Sequence, residues 1–521
     1  MTALRYNIML IMLVLLGTSN QCFAMSNLTR NDPFPVYTTE DPYSFLTIRE
    51  RQAIKHYELY GKPERARLSF SAFRQSASCG SGLRLATNCA QLCNLNVPDT
   101  NCVELGNLLG HWNVLGLFYP EGSSQDVDVA LRLDEALGIT EAELLNCLFT
   151  TSLVPEEGPK PQGIAQPNNS DANKEFGFFS VPIKYRKYGI RFEAEIGLFD
   201  GFGLIIQGGV CDLKQTASFV DLTCGATGLS CPVSDCSRPC DIPAGTSALD
   251  EGELCAAGNC CIDIFSCECK TLVMNKIMKQ FNIVAKTVGS CIRDYHEIDA
   301  EDTRVSLYWR HMYEVNKDRV TWPYFIIMPF LVAQASFPTS NAICHNNLFA
   351  LPAGNDGHFG YGFDAGFTID FVETVQIGFD AAMTRFSKKT HTNYPVPTNQ
   401  LQAGIFPHLA TVCITPGTNW SFGATLNAYH FIDRLSLYAQ YRIISHGENC
   451  FDIISTDAAH KSNILTSKLR EESLWRVQLA NVGLNYDISP NITLGFLWQA
   501  PIARRNAYRS TTIMGSLVVT F

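Results

Sequence analysis

The sequence predicts an all-β fold: one antiparallel up-and-down transmembrane β-barrel of about 12 strands, or 14 if a further pair lies within residues 76–180 or 388–417. Three features predict it: a long period-two hairpin, ten shorter echoes of the same pattern, and the sorting of long and short connections between them. In the hairpin, Phe359, Tyr361, Phe363, Ala365, Phe367, Ile369 and Phe371 alternate with Gly360, Gly362, Asp364, Gly366, Thr368 and Asp370. The pattern restarts with Val375, Ile377, Phe379, Ala381 and Met383 set against Gln376, Gly378, Asp380, Ala382 and Thr384. Successive side chains of a strand point to opposite faces, so one face is greasy and the other small, polar or acidic. A soluble β-sandwich is the competing architecture, but its strands average about five or six residues. A membrane barrel needs strands of about nine to eleven, apolar outside and polar inside.

The remaining strands follow along the chain. Leu68, Phe70 and Ala72 share a face in the first short run. Tyr188, Ile190, Phe192, Ala194, Ile196 and Leu198 then oppose Arg191, Glu193, Glu195 and Gly197, an Asp200-Gly201 turn follows, and Leu204, Ile206 and Val210 mark the next strand. Val305, Leu307, Trp309 and Tyr313 oppose Arg304, Ser306, Tyr308, Arg310 and Glu314. Residues 322–335 give a strand containing Pro323 and Pro329, each lacking the N–H that a sheet ladder uses. Beyond the hairpin, Trp420, Phe422, Ala424, Leu426 and Ala428 lead through Ile432 and Asp433 to Leu435, Leu437, Ala439, Tyr441 and Ile443. Trp475, Val477 and Leu479 continue into Val482, Leu484 and Tyr486 with a change of phase near Ala480, which predicts a bulge. Ile492, Leu494, Phe496 and Trp498 precede the last strand, where Ile513, Leu517, Val519 and Phe521 share a face.

Residues 76–180 and 212–302 lack the alternation and read as large external insertions, with helices near 127–148 and 272–288. If the C-terminus lies on the periplasmic side, counting backward places the short turns at Asp200, Asn316, Glu373, Asp433 and Ser489 on that side. The long connections then fall on the other side, as membrane barrels arrange them. Arg5, an apolar core over residues 8–16 and Cys22-Phe23-Ala24 predict a signal peptide over 1–24. Residues 25–64 then form a periplasmic leader with a short helix near 46–60, and 65–521 form the barrel with its insertions.

Composition narrows the function classes. A net charge of −10 supplies no basic patch for phosphate, so nucleic acid is not an expected partner. The chain holds 20 cysteines, and Cys224, Cys231, Cys236, Cys240, Cys255, Cys260, Cys261, Cys267 and Cys269 crowd one insertion. In an exported chain these predict disulfides, within the insertion or to covalent partners. No histidine lies among them, which argues against a zinc site, and neither metal nor cofactor is expected.

The lumen-facing parity selects Arg191, Glu193, Glu195, Arg310, Asp364, Asp370, Asp380 and Arg442 as pore-lining residues. Asp364 and Asp380 sit diagonally across the hairpin, roughly 7–8 Å apart. Arg310 or Arg442 would face them as counter-charges. His311 and His430 fall on outward faces, and His391, His446 and His460 fall in loops. No serine and carboxylate accompany any of them at a catalytic spacing, so catalysis is not expected.

The terminal run TTIMGSLVVTF has an aromatic residue, Phe521, at its end and apolar Val519 two before it. On these residues the chain resembles Gram-negative outer-membrane β-barrels, although Ser516 stands where their assembly signal has glycine. The resemblance implies outer-membrane lipid and the barrel assembly machinery as partners, with Val519 and Phe521 as the assembly signal. The cysteine-rich insertions are similar in composition to loops of disulfide-linked major porins. The expected function is a passive porin-like channel for small hydrophilic solutes, weakly ion-selective because its wall mixes both signs of charge. The alternative is a structural or adhesive disulfide-linked surface protein for which the barrel is an anchor.

Overall fold

The computed structural model describes residues 65–77, 79–80, 103–104, 110–112, 177–180, 183–199, 201–217, 220–221, 294–315, 325–345, 347, 350–371, 375–396, 408–432, 434–455, 464–505 and 507–521. The expected signal peptide, the leader, the three expected helices, His460 and the cysteines from Cys224 to Cys269 lie outside the described residues.

Twelve strands close into one antiparallel barrel. They are β1 (Ala66–Ala77), β2 (Ile183–Phe199), β3 (Phe202–Ala217), β4 in three pieces (Tyr295–Ala300, Thr303–Arg310 and Tyr313–Val315), β5 (Phe325–Phe337) and β6 (Gly360–Phe371). The rest are β7 (Val375–Phe386), β8 (Asn419–Ile432), β9 (Leu435–His446), β10 (Trp475–Ser489), β11 (Ile492–Arg505) and β12 (Thr511–Thr520). Each strand pairs with its chain neighbours, and β12 returns to β1 from Arg67↔Thr520 to Ser76↔Thr511. Closure gives the strands a partner on both sides through the body of the barrel, which leaves it without a free sheet edge there; the end pieces of β4, Tyr295–Ala300 and Tyr313–Val315, pair on one side.

The period-two pattern becomes an outer and an inner wall. Phe70, Phe192, Phe363, Phe367, Phe379, Phe422, Phe496 and Trp498 all stand exposed on the outer wall, the surface that a bilayer core requires. Short turns gather at one end of the barrel, called here the turn end, where Gly201 (φ 76°) and Arg434 (φ 62°) adopt left-handed backbone. Long connections leave the opposite, loop end. β3 reaches Ala217 and β4 begins at Tyr295, so strand structure extends into the expected 212–302 insertion from both sides.

Two irregularities in β4 have local causes. At Pro329 the ring removes the N–H that β4 would accept, and the ladder lapses at His311 and Met312 between Arg310↔Phe330 and Tyr313↔Ile327. Further up, three residues of β4, Glu301 to Thr303, oppose Gly208 and Gly209 of β3, which is a one-residue bulge. Adjacent residues in a regular strand point to opposite faces; here Glu301 and Asp302 are both buried.

β10 corrects an expectation. Its register with β9 runs unbroken from Leu435↔Tyr486 to His446↔Trp475, so it has no change of phase. The bulge lies on β11, where Ile502 is the unpaired extra residue between Pro501 and Ala503. Trp475, Val477 and Leu479 therefore face inward, in a buried cluster with Phe386, Ile444 and Ala507. The further strand pair allowed within 388–417 exists, but outside the barrel: Lys389–Val396, His408–Thr415 and Cys450–Ser455 form a separate three-stranded sheet. This loop-end sheet packs Tyr394, Val396, Val412, Ile414 and Phe451 against Leu469 of helix α1 (Thr466–Ser473).

Candidate functional site in the lumen and at its mouth

All eight expected pore-lining residues sit at inward positions of their strands. Six of them, Arg191, Glu193, Glu195, Arg310, Asp380 and Arg442, are held in opposite-charge groups rather than spread along an open wall. Arg67 of β1 pairs with Glu195, and its Nη2 lies 2.9 Å from Glu193 Oε1; Glu195 also takes Arg310 Nη1 at 2.9 Å. Arg442 Nη2 lies 3.0 Å from Asp380 Oδ2 and donates to Ser421 Oγ at 3.1 Å. Asp364 is diagonal to Asp380 as expected, since the pairs are Asp364↔Ala382 and Gly366↔Asp380. Amide pairs continue the ring, with Asn427 donating to Gln376 and Asn481 Nδ2 donating to Gln440 Oε1 at 2.7 Å.

The Arg442–Asp380 bridge spans β8, which passes beneath it as Gly423. A Cβ on Gly423 would come within 2.2 Å of the Asp380 carboxylate. Gly423→Ala is expected to lower stability by about 1–3 kcal/mol through this overpacking. A shift of the urea midpoint of vesicle-refolded protein checks it, and an unchanged midpoint would show that the bridge has room to move.

At the loop end, the described residues of the connection between β5 and β6, 338–345, 347 and 350–359, fold into the barrel mouth. Ala353 joins Phe73, Cys211, Tyr438, Leu497 and Met514, inward residues of β1, β3, β9, β11 and β12, in one buried cluster. The β4 bulge holds this connection. Asp302 Oδ1 accepts Ser340 N (3.1 Å) and Oγ (2.7 Å), and its Oδ2 accepts Asn355 N at 2.7 Å. Asp299 receives Asn341 N at 2.7 Å. From the same bulge, Glu301 takes Arg191 Nε at 2.6 Å and Lys187 Nζ at 2.7 Å, and Lys187 also donates to Ala353 O at 3.0 Å. The bulge thus points one carboxylate at the wall cations and the next at the connection.

Three histidines and one aspartate meet beside this connection: His345, Asp356 and His358 within it, and His391 on the first strand of the loop-end sheet. All four are buried. His345 Nε2 lies 2.7 Å from His391 Nδ1 and 3.1 Å from Asp356 Oδ2, and His391 Nδ1 lies 3.7 Å from the same oxygen. Asp356 takes a left-handed backbone (φ 51°), and its Oδ1 accepts Ile343 N at 3.1 Å. Burial, then the neighbouring His345, pushes the His391 imidazole down to about 3, and burial lowers His358 as well. Burial thus favours the neutral form of both rings.

Sequence reasoning missed this group. It placed His391 in a loop without partners, and it did not single out His345, Asp356 or His358, which stand dozens of positions from His391 in no recognisable spacing. It also placed His446 in a loop. His446 ends β9 facing inward, stacked on Trp475 at 5.7 Å and bonded to Asn419 and Asn449. The apolar inward residue Ile444 interrupts the polar alternation that would have extended the strand to it.

No protein-family model matches the chain, and no curated protein matches it in sequence. Among solved structures it is similar to an outer membrane channel from Pseudomonas putida F1, at 8% identity and TM-score 0.39, covering 88% of this chain and 97% of that one. It is similar also to the transport unit of the autotransporter AIDA-I from Escherichia coli, at 8% identity and TM-score 0.31, covering 96% and 99%. A third, the CymD monoaromatic hydrocarbon channel, gives 6% identity and TM-score 0.28, covering 90% and 93%. Scores this low add no argument, and the barrel rests on this chain's own strand registers.

Proposed function

We propose that the chain is an outer-membrane β-barrel acting as a narrow diffusion channel for small hydrophilic solutes, with residues 338–359 as its constriction. One observation carries this reading: Asp302 and Lys187 fasten that connection inside the mouth, against a wall of paired charges. A barrel that served only as an anchor needs an apolar outer wall and has no use for a connection turned inward. The exported chain meets the barrel assembly machinery through Val519 and Phe521, and Phe521 stands exposed on the outer wall as that role requires.

Planar-bilayer conductance tests the reading. The native protein is expected to give small, weakly ion-selective steps, because opposed charges polarise a pore without favouring one ion. The double variant Asp302→Ala, Lys187→Met, which frees the connection, is expected to give steps several-fold larger. Absence of steps from both proteins, with heat-modifiable mobility intact, would overturn the channel in favour of a surface protein whose barrel is an anchor. That second reading draws on the length of chain between β1 and β2 and between β3 and β4, and on the cysteines from Cys224 to Cys269. It expects reduction to release covalent multimers on a gel and leave conductance unchanged.

A further inference from the structure

We propose that His345, Asp356 and His391 form a binding site for a divalent transition-metal cation of the zinc class, joining the inward-folded connection to the loop-end sheet. The proposal goes beyond the channel reading and stands without it. Its ground is the triangle formed by His345 Nε2, His391 Nδ1 and Asp356 Oδ2, with edges of 2.7, 3.1 and 3.7 Å. A tetrahedral ion bound at roughly 2.0–2.1 Å sets its ligand atoms roughly 3.3 Å apart. The two edges to Asp356 bracket that spacing, and one ion fits on this face, its fourth position open, once the hydrogen-bonded 2.7 Å edge between the two imidazoles opens by roughly half an ångström. Two imidazoles and a carboxylate are a ligand set that zinc takes.

The surrounding hydrogen bonds prepare the ligands. His358 Nδ1 donates to Ser387 O at 2.8 Å, which leaves a lone pair on its Nε2. His391 Nε2 lies 3.3 Å from that atom and donates to it, so the Nδ1 lone pair of His391 is turned toward the triangle. A histidine ligand fixed through its other nitrogen is the usual outer-shell arrangement of a metal site. Lys389 Nζ donates to Asp356 O at 2.8 Å and holds the turn that presents the carboxylate. In the arrangement described, the hydrogen between the two close nitrogens belongs to His345 Nε2. Metal entry requires His345 to carry it on Nδ1 instead, a tautomer exchange through solvent with no net loss of a proton.

The test uses full-length protein in detergent, stripped with a chelator, its free thiols alkylated, and titrated with Zn²⁺ alone. The native protein is expected to take up one equivalent, and His345→Ala and His391→Ala each to weaken uptake at least about 100-fold, more than loss of an outer-shell partner costs. X-ray absorption of the zinc-loaded native protein is expected to show nitrogen and oxygen at roughly 2.0–2.1 Å and no sulfur at roughly 2.3 Å. This second measurement needs no variant, so a substitution that fails to fold does not rescue the proposal. A sulfur shell, undiminished uptake by folded variants, or no uptake by native protein would overturn it, and none of these outcomes depends on conductance.

Discussion

Replacing Glu195 by alanine is expected to destabilise the barrel by about 3–5 kcal/mol, the range for removing one member of a buried ion group. Glu195 is 1% exposed and takes both Arg67 and Arg310, whose guanidinium groups are themselves buried. Without it two buried cations lose the carboxylate they share, and Arg67 keeps Glu193. Glu193 is already engaged by Gln207, which donates to its Oε2 at 2.8 Å. Glu195→Gln should lose less, because its amide oxygen still accepts a hydrogen bond. Urea unfolding in lipid vesicles measures both variants, and midpoints equal to that of the native protein would show that the inner charges do not stabilise the barrel.

Placing a charge on the outer wall is expected to cost nearly as much, but only in lipid. Ala365 lies midway along β6, outward, between Leu331 of β5 and Ala381 of β7. Ala365→Arg should destabilise vesicle-inserted protein by about 2–4 kcal/mol, the cost of a cation near the bilayer midplane. Thr390→Arg, at an exposed position of the loop-end sheet, should change stability by less than about 0.5 kcal/mol. Equal stability of the two variants in vesicles would mean that β6 does not face lipid.

The strands whose outer residues are bulky and whose inner residues are small or charged were legible along their length. The 359–386 hairpin is the clearest: from Gly360 to Phe371 and from Val375 to Thr384 the alternating residues lie on the wall their chemistry indicated, and only its end departs, where Phe386 faces the lumen. β10 was misread where the inner wall itself turns apolar. Trp475, Val477 and Leu479 look like lipid-facing residues, and only the partners Phe386, Ile444 and Ala507 reveal that they fill the lumen. β5 escaped that confusion less by signal than by length, since Ile326, Met328, Phe330 and Val332 face inward and the chain is apolar on both walls.

Sequence by itself determined the barrel and put its strand number at 12 or 14, because a bilayer-compatible outer wall imposes one strict period on every strand; that the further strands of 388–417 stand outside the barrel was decided by the tertiary structure. Parity also picked out eight charges that sit at inward positions, while Arg67, Lys187, Glu301 and Asp302, also buried, were not singled out. Tertiary structure alone decided what those charges meet. The bulge in β4 that turns Glu301 and Asp302 inward together, the connection that Asp302 holds in the mouth, and the meeting of His345, Asp356 and His391 all depend on contacts between distant segments. A periodic signal records which side of a strand a residue occupies, and it carries no record of what closes over it from another part of the chain.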